Sequence, residues 1–175
     1  MWISHLDITD ETDSLTIFFT SNRKIKALRY LTHLWLGEVR MTYPEALIEL
    51  IDDFQSIDDK MERLEYVFDL ASEVNELPAS LWSEETRIHG CQSEAHVLLE
   101  IEDGKVSLKS GADSKLVQGL MGILTIAMDN LDTEEAKKIT PDFAVDMGIL
   151  NSLSPSRSNG FRNMFDKIMN ELEEY

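Results

Sequence analysis

Arg87-Ile88-His89-Gly90-Cys91-Gln92-Ser93-Glu94-Ala95-His96 runs directly into Val97-Leu98-Leu99-Glu100-Ile101-Glu102-Asp103-Gly104-Lys105. The second half is rich in branched residues, and Asp103-Gly104 is a two-residue turn that returns the chain along 105–109. An antiparallel hairpin with strands over 97–102 and 105–109 is therefore expected. Before it stands Cys91, the sole cysteine of 175 residues. Gly90 supplies backbone freedom at that point, and Gln92 and Ser93 follow the thiol with polar groups. Cys91 has two readings on these residues, a small buried hydrophobe or a presented thiol. Its polar neighbours tilt toward the second.

Helical patterns flank this stretch on both sides. Thr42 with Glu45 three residues on reads as a capping box, with Pro44 in the first turn and Leu47, Ile48, Ile51 and Phe54 on one apolar face. Ser56 is expected to begin a second helix, with Ile57, Met61, Leu64, Val67, Phe68 and Ala71 as its buried stripe. Leu77-Pro78 ends that pair and opens a loop through Glu85. After the hairpin, Asp113 is expected to cap a helix reaching about Asn130. That helix is apolar nearly all round, so it should be the central one, and Gly119 and Gly122 let another backbone come close. Thr133 opens a short helix, Pro141 breaks it and Gly148 ends another brief turn. Ser154 before Pro155 is a strong helix start, followed by an apolar face of Phe161, Met164, Phe165, Ile168 and Met169. Residues 171–175 should fray.

Composition bounds the function. With 43% hydrophobic residues the chain can bury a core without staples. One cysteine excludes an internal disulfide and any multi-thiolate zinc or iron–sulfur site within the chain. No apolar run has membrane-spanning length, and the acidic start resembles no targeting peptide, so a reducing, cytoplasmic setting is expected. The net charge is −17, and residues 41–175 hold 11 basic and 28 acidic residues against five of each in 1–40. Such a surface repels phosphate backbones, which argues against nucleic acid as a partner. Residues 1–40 carry a strand pattern over 15–20 and a basic helical pattern over 23–36, and read as an extension of unassigned role before a domain spanning 41–175.

Arg157 stands out because a cation in a helix's first turn opposes the helix dipole. Beside the free N–H groups of a helix start it makes an anion site. If that start faces Cys91, the anion is a thiolate or a persulfide; on this segment alone, an exposed arginine in a surface turn is the default reading. His89, Cys91 and His96 lack a recognisable zinc spacing, and no glycine-rich phosphate loop is present.

Three motifs together resemble one family. Ile88-His89-Gly90-Cys91-Gln92-Ser93 looks like the cysteine loop of the SufE-type sulfur acceptors of iron–sulfur cluster assembly. Val117-Gln118-Gly119-Leu120 after Asp113 resembles the start of that family's long helix, and Leu153-Ser154-Pro155-Ser156-Arg157-Ser158-Asn159-Gly160 resembles its closing motif. Order and spacing agree from about Thr42 to Ile168. The resemblance implies an α+β fold, a small antiparallel β-sheet covered by helices, similar to the U-type iron–sulfur scaffold. It implies a cofactor-free sulfur carrier that activates its donor rather than working as a stand-alone enzyme. Cys91 would accept persulfide sulfur from a SufS-like cysteine desulfurase and pass it to a SufBCD-like scaffold complex, with no membrane partner. Gly90, Gln92, Ser93, Asp113 and Arg157 match positions at or near the cysteine loop. The chain departs at Glu94-Ala95-His96, where the family tends to show Gln or Lys, a branched residue, then Trp. An acid so close to the thiol raises its pKa in principle, and the lost Trp changes the packing beneath the loop.

The chemistry agrees with the residues. A thiolate attacks the terminal sulfur of a persulfide and the donor thiolate leaves, so one cysteine per partner suffices. Two other classes compete: an acidic interaction module with an inert cysteine, and a hydrolase or transferase pairing Cys91 with His89 or His96.

Overall fold

Asp103 and Gly104 both take positive φ, 53° and 80°, the turn that matches the twist of two antiparallel strands. They join β1 (Ala95–Glu102) to β2 (Lys105–Ala112) in a two-stranded antiparallel sheet with Ala95 opposite Ala112 and Glu102 opposite Lys105. Each strand runs a few residues further than its pattern announced. Ala95, Val97 and Leu99 on β1 and Val106, Leu108, Ser110 and Ala112 on β2 face the core. The outer edges are partly occupied. Thr86 and Ile88 bond β1 at Val97 and Ala95, while Asn75 and Leu77 bond β2 at Ser110. Further along β2 the outward backbone groups of Leu108 are taken by Asp129 Oδ1 at 2.8 Å and Asn75 Nδ2 at 3.2 Å.

The structure, a computed structural model, describes residues 43–175. The expected strand over 15–20, the helix over 23–36 and Thr42 of the capping box lie outside them. The helices are α1 (Glu45–Ser56), α2 (Lys60–Asp69), α3 (Lys115–Met128), α4 (Thr133–Ala136), α5 (Asp142–Asp146) and α6 (Pro155–Leu172). Together with the hairpin they make the expected α+β fold, a small antiparallel sheet covered by helices. Among the described residues no helix is long and apolar enough to cross a membrane.

The α3 helix is the centre. It packs on β2 and against α1, α2 and α6, and Leu120, Ile123, Ala127 and Met128 on it are fully buried. A Cβ on Gly119 would overlap the Val67 carbonyl oxygen and stand 2.7 Å from its carbon, while one on Gly122 would stand 2.9 Å from the Leu70 carbonyl carbon. The two glycines thus let α3 touch the backbone at the end of α2. Phe143 of α5 packs on α6, its ring centroid 6.1 Å from Phe161, edge-on, and 6.1 Å from Phe165, tilted.

Several expectations are corrected. Ser56 closes α1 rather than opening α2, its hydroxyl donating back to the Asp53 carbonyl at 2.6 Å. Asp59 caps α2 instead, accepting from Met61 N and Glu62 N. Of the expected α2 stripe Val67 is buried, but Met61 is 64% exposed and Phe68 lies under Lys115 Nζ at 5.9 Å. Pro44 occupies the N-cap position of α1, not its first turn. Ser114 rather than Asp113 precedes α3, which ends at Met128, with Asn130 in the left-handed region at φ 60°. The chain's end frays less than expected because Leu172 is fully buried.

Candidate functional site

The cysteine loop is the tip of a hairpin-like closure. Ile88 N donates to Ala95 O and Val97 N to Thr86 O, so ladder bonding stops at Ile88 on one side and resumes at Ala95 on the other. Between these ties residues 89–94 project, and Gly90 turns them with φ 78°. One face of α6 lies along this segment in antiparallel order. Lys167 Nζ donates to Glu85 O at 2.7 Å, and Asn163 Nδ2 to His89 O at 2.9 Å. Cys91 Sγ lies 3.7 Å from Gly160 O, and Arg157 Nη1 donates to Ser93 Oγ at 2.9 Å. Positions 157, 160, 163 and 167 recur at helical spacing, which is why one face meets successive loop residues.

The half-buried thiol rests where α6 has no side chain. A Cβ on Gly160 would be 3.1 Å from Cys91 Sγ. Burial pushes the Cys91 thiol up from its ordinary pKa, and the Arg157 guanidinium opposes that shift. The first effect is the larger, so at rest the group is a shielded thiol rather than a thiolate. The Glu94 carboxylate is turned away to His96 Nε2 at 3.5 Å.

His96 is 2% exposed, its Nδ1 is 2.9 Å from Thr86 Oγ1, and its ring stacks on Trp82 at 4.7 Å between centroids. Trp82 Nε1 in turn donates to Leu77 O at 3.0 Å. An indole thus covers the sheet at position 96 from the preceding loop. His89 is exposed and faces Glu84 at 3.3 Å. Both histidines are engaged with groups other than Cys91.

Of the residues singled out in the sequence, the structure brings together Gly90, Cys91, Ser93 and Arg157. Gln92 is exposed. Asp113 is exposed too, and its backbone N–H donates to Glu94 O at 3.1 Å, at the outgoing foot of the loop. Gln118 of the long-helix motif supports that foot, Nε2 donating to Ala112 O at 3.0 Å. Sequence reasoning missed Asn163 and Lys167. Their one signal was spacing, since both fall on the α6 face that Arg157 and Gly160 begin.

Fold and site define an α+β domain that presents one half-shielded thiol beside an arginine at a helix start. The chain belongs to the SufE family, the Fe-S metabolism associated domain, whose sequence model matches residues 48–172. It is 32% identical over 124 residues to an uncharacterized SufE-like protein of Synechocystis, covering 71% of this chain and 78% of that one. It is 33% identical over 127 residues to the chloroplastic/mitochondrial SufE-like protein 1 of Arabidopsis thaliana, covering 72% of this chain and 34% of that protein. A Plasmodium falciparum protein named cysteine desulfuration protein SufE is 25% identical over 128 residues, 70% of this chain and 51% of that one. A solution structure from Thermus thermophilus shares the fold, with a TM-score of 0.66 at 22% identity over 76% of this chain and 97% of that one.

Proposed function

We propose that Cys91 takes persulfide sulfur from a SufS-like cysteine desulfurase and hands it to a SufBCD-like iron–sulfur scaffold complex. The observation that carries this is the thiol itself, held half-shielded between Gly160 and an arginine that reaches Ser93. Membership in a family associated with iron–sulfur metabolism supports it, as does the desulfuration named for the Plasmodium relative.

The step balances without an added oxidant or reductant. The Cys91 thiolate attacks the terminal sulfur of the donor persulfide, forming a new S–S bond. The donor's own S–S bond breaks, its electron pair leaves with the donor sulfur, and Cys91 becomes the persulfide. Passing the sulfur on repeats the exchange. A thiol of ordinary pKa about 8.5 is only a few per cent thiolate at neutral pH, and burial lowers that share. Docking that swings the loop about Gly90 removes the burial that holds the thiol's pKa up. The reducing cytoplasm is the proposed setting, because an oxidised thiol accepts no sulfur. In a desulfurase turnover assay the protein should raise the rate by clearing the donor's persulfide. No increase with any cognate desulfurase would return Cys91 to an inert role in an acidic interaction module.

Arg157→Ala should slow acceptance while changing stability by only about 1–2 kcal/mol, the scale of one part-buried hydrogen bond from a charged group. Without the guanidinium, burial acts unopposed, so the pH midpoint of Cys91 alkylation should move upward. An unmoved midpoint and unchanged transfer would assign Arg157 to the loop's structure alone. We further propose that residues 41–175 suffice for acceptance, a boundary suggested by the neutral charge of 1–40 and by the family match to 48–172. A chain starting at Met41 should melt cooperatively and accept sulfur at the full-length rate. Loss of folding would show that 1–40 complete the core.

A further inference from the structure

We propose that Asn163 is a positioning residue that latches the incoming limb of the thiol loop and sets how often Cys91 is presented. The inference deepens the acceptor reading and rests on it for the purpose of shielding, though its geometry stands apart. Backbone ladder bonding to β1 ends at Ile88. On the incoming limb, His89 and Gly90, the one side-chain tie to α6 is Asn163 Nδ2 donating to His89 O at 2.9 Å, while beyond the thiol the outgoing limb has the Arg157–Ser93 bond.

The bond goes to a carbonyl, so it does not depend on the identity of residue 89. It also sits against the pivot, since a Cβ on Gly90 would overlap Asn163 Nδ2. Gly90 holds φ 78°, a region open to glycine at little cost, so the backbone itself resists opening weakly. His89, Gly90 and Gln92 are exposed and bury little apolar surface to hold the tip down. Water can satisfy both the His89 carbonyl and the Asn163 amide once they part. The latch is therefore weak enough to open on docking and strong enough to bias the resting loop.

Lys167 supplies the control. Its bond to Glu85 O lies on the far side of the ladder from the thiol. Breaking it loosens the segment at 85 without freeing the tip. Asn163→Leu keeps the bulk of the side chain and removes its donor, whereas Asn163→Ala removes both.

The test is the rate of Cys91 alkylation by iodoacetamide in the folded full-length chain, with melting temperatures measured alongside. Asn163→Leu and Asn163→Ala should each speed alkylation about fivefold, the equilibrium factor of roughly one net neutral hydrogen bond. Lys167→Met should stay within about twofold of the parent, since its bond constrains no residue between the ladder and the thiol. Melting temperatures that fall equally in Asn163→Leu and Lys167→Met leave this contrast intact. Alkylation of Asn163→Leu at the parent rate, or equal acceleration by Lys167→Met, would overturn the latch. Because no desulfurase takes part, faster alkylation in a protein that takes up no sulfur would uphold the latch while removing the acceptor reading.

Discussion

Gly119→Ala is expected to cost the domain about 3 kcal/mol or more, and to lower its melting temperature on the order of 10 °C. The added methyl would overlap the Val67 carbonyl oxygen and stand 2.8 Å from Val67 Cγ1. A flexible side chain could swing aside, but a carbonyl inside α2 cannot move without its helix. Helix propensity acts the other way, favouring alanine by about 1 kcal/mol, so the clash must exceed that to show. Separating the helices would also strip Val67 and Leu70 from a core in which both are buried. Urea unfolding of the variant checks this. A stability equal to or above the parent's would mean that α3 does not touch the α2 backbone.

That contact was legible in advance because Gly119 and Gly122 interrupt an otherwise apolar helix, where glycine has a cost and needs a reason. The hairpin was legible for a similar local reason, since Asp103-Gly104 specifies its own turn. Boundaries decided by competition between neighbouring polar residues were not. Ser56, Asp58 and Asp59 can each cap a helix, and the choice of Asp59 depends on where α1 releases the chain. Nor does a period of 3.6 say how much of a short helix its neighbours cover, so Met61 and Phe68 were assigned to a core they do not reach.

The site divides in the same way. Cys91, Gly90, Ser93 and Arg157 carry chemistry or conformational signals in their own residue types. Asn163 and Lys167 act on backbone carbonyls 74 and 82 residues away, and a carbonyl leaves no mark in a sequence. Trp82 likewise gains its meaning from stacking on His96, which nothing local announces. The departure at Glu94-Ala95-His96 thus looked like a loss of packing, whereas the ring at 96 is covered from another segment. Burial and Arg157, rather than Glu94, are what shift the thiol.

Cys91→Ser should abolish sulfur acceptance while changing stability by less than about 1 kcal/mol. The two side chains are close in size, and the site offers the serine hydroxyl the Gly160 carbonyl that the thiol faces. A hydroxyl cannot undergo thiol exchange, so the loss is complete rather than partial. As Cys91 is the sole cysteine, no second thiol can take over. Residual acceptance in this variant would mean that sulfur adheres to the protein without a covalent carrier.

The most direct test is the intact mass of the wild-type chain after incubation with a cognate desulfurase and free cysteine. The account predicts a gain of one or more sulfur atoms, removed by a reductant and absent from Cys91→Ser. An unchanged wild-type mass, under conditions in which another SufE-type protein is loaded by the same enzyme and with further cognate desulfurases also failing, would contradict it.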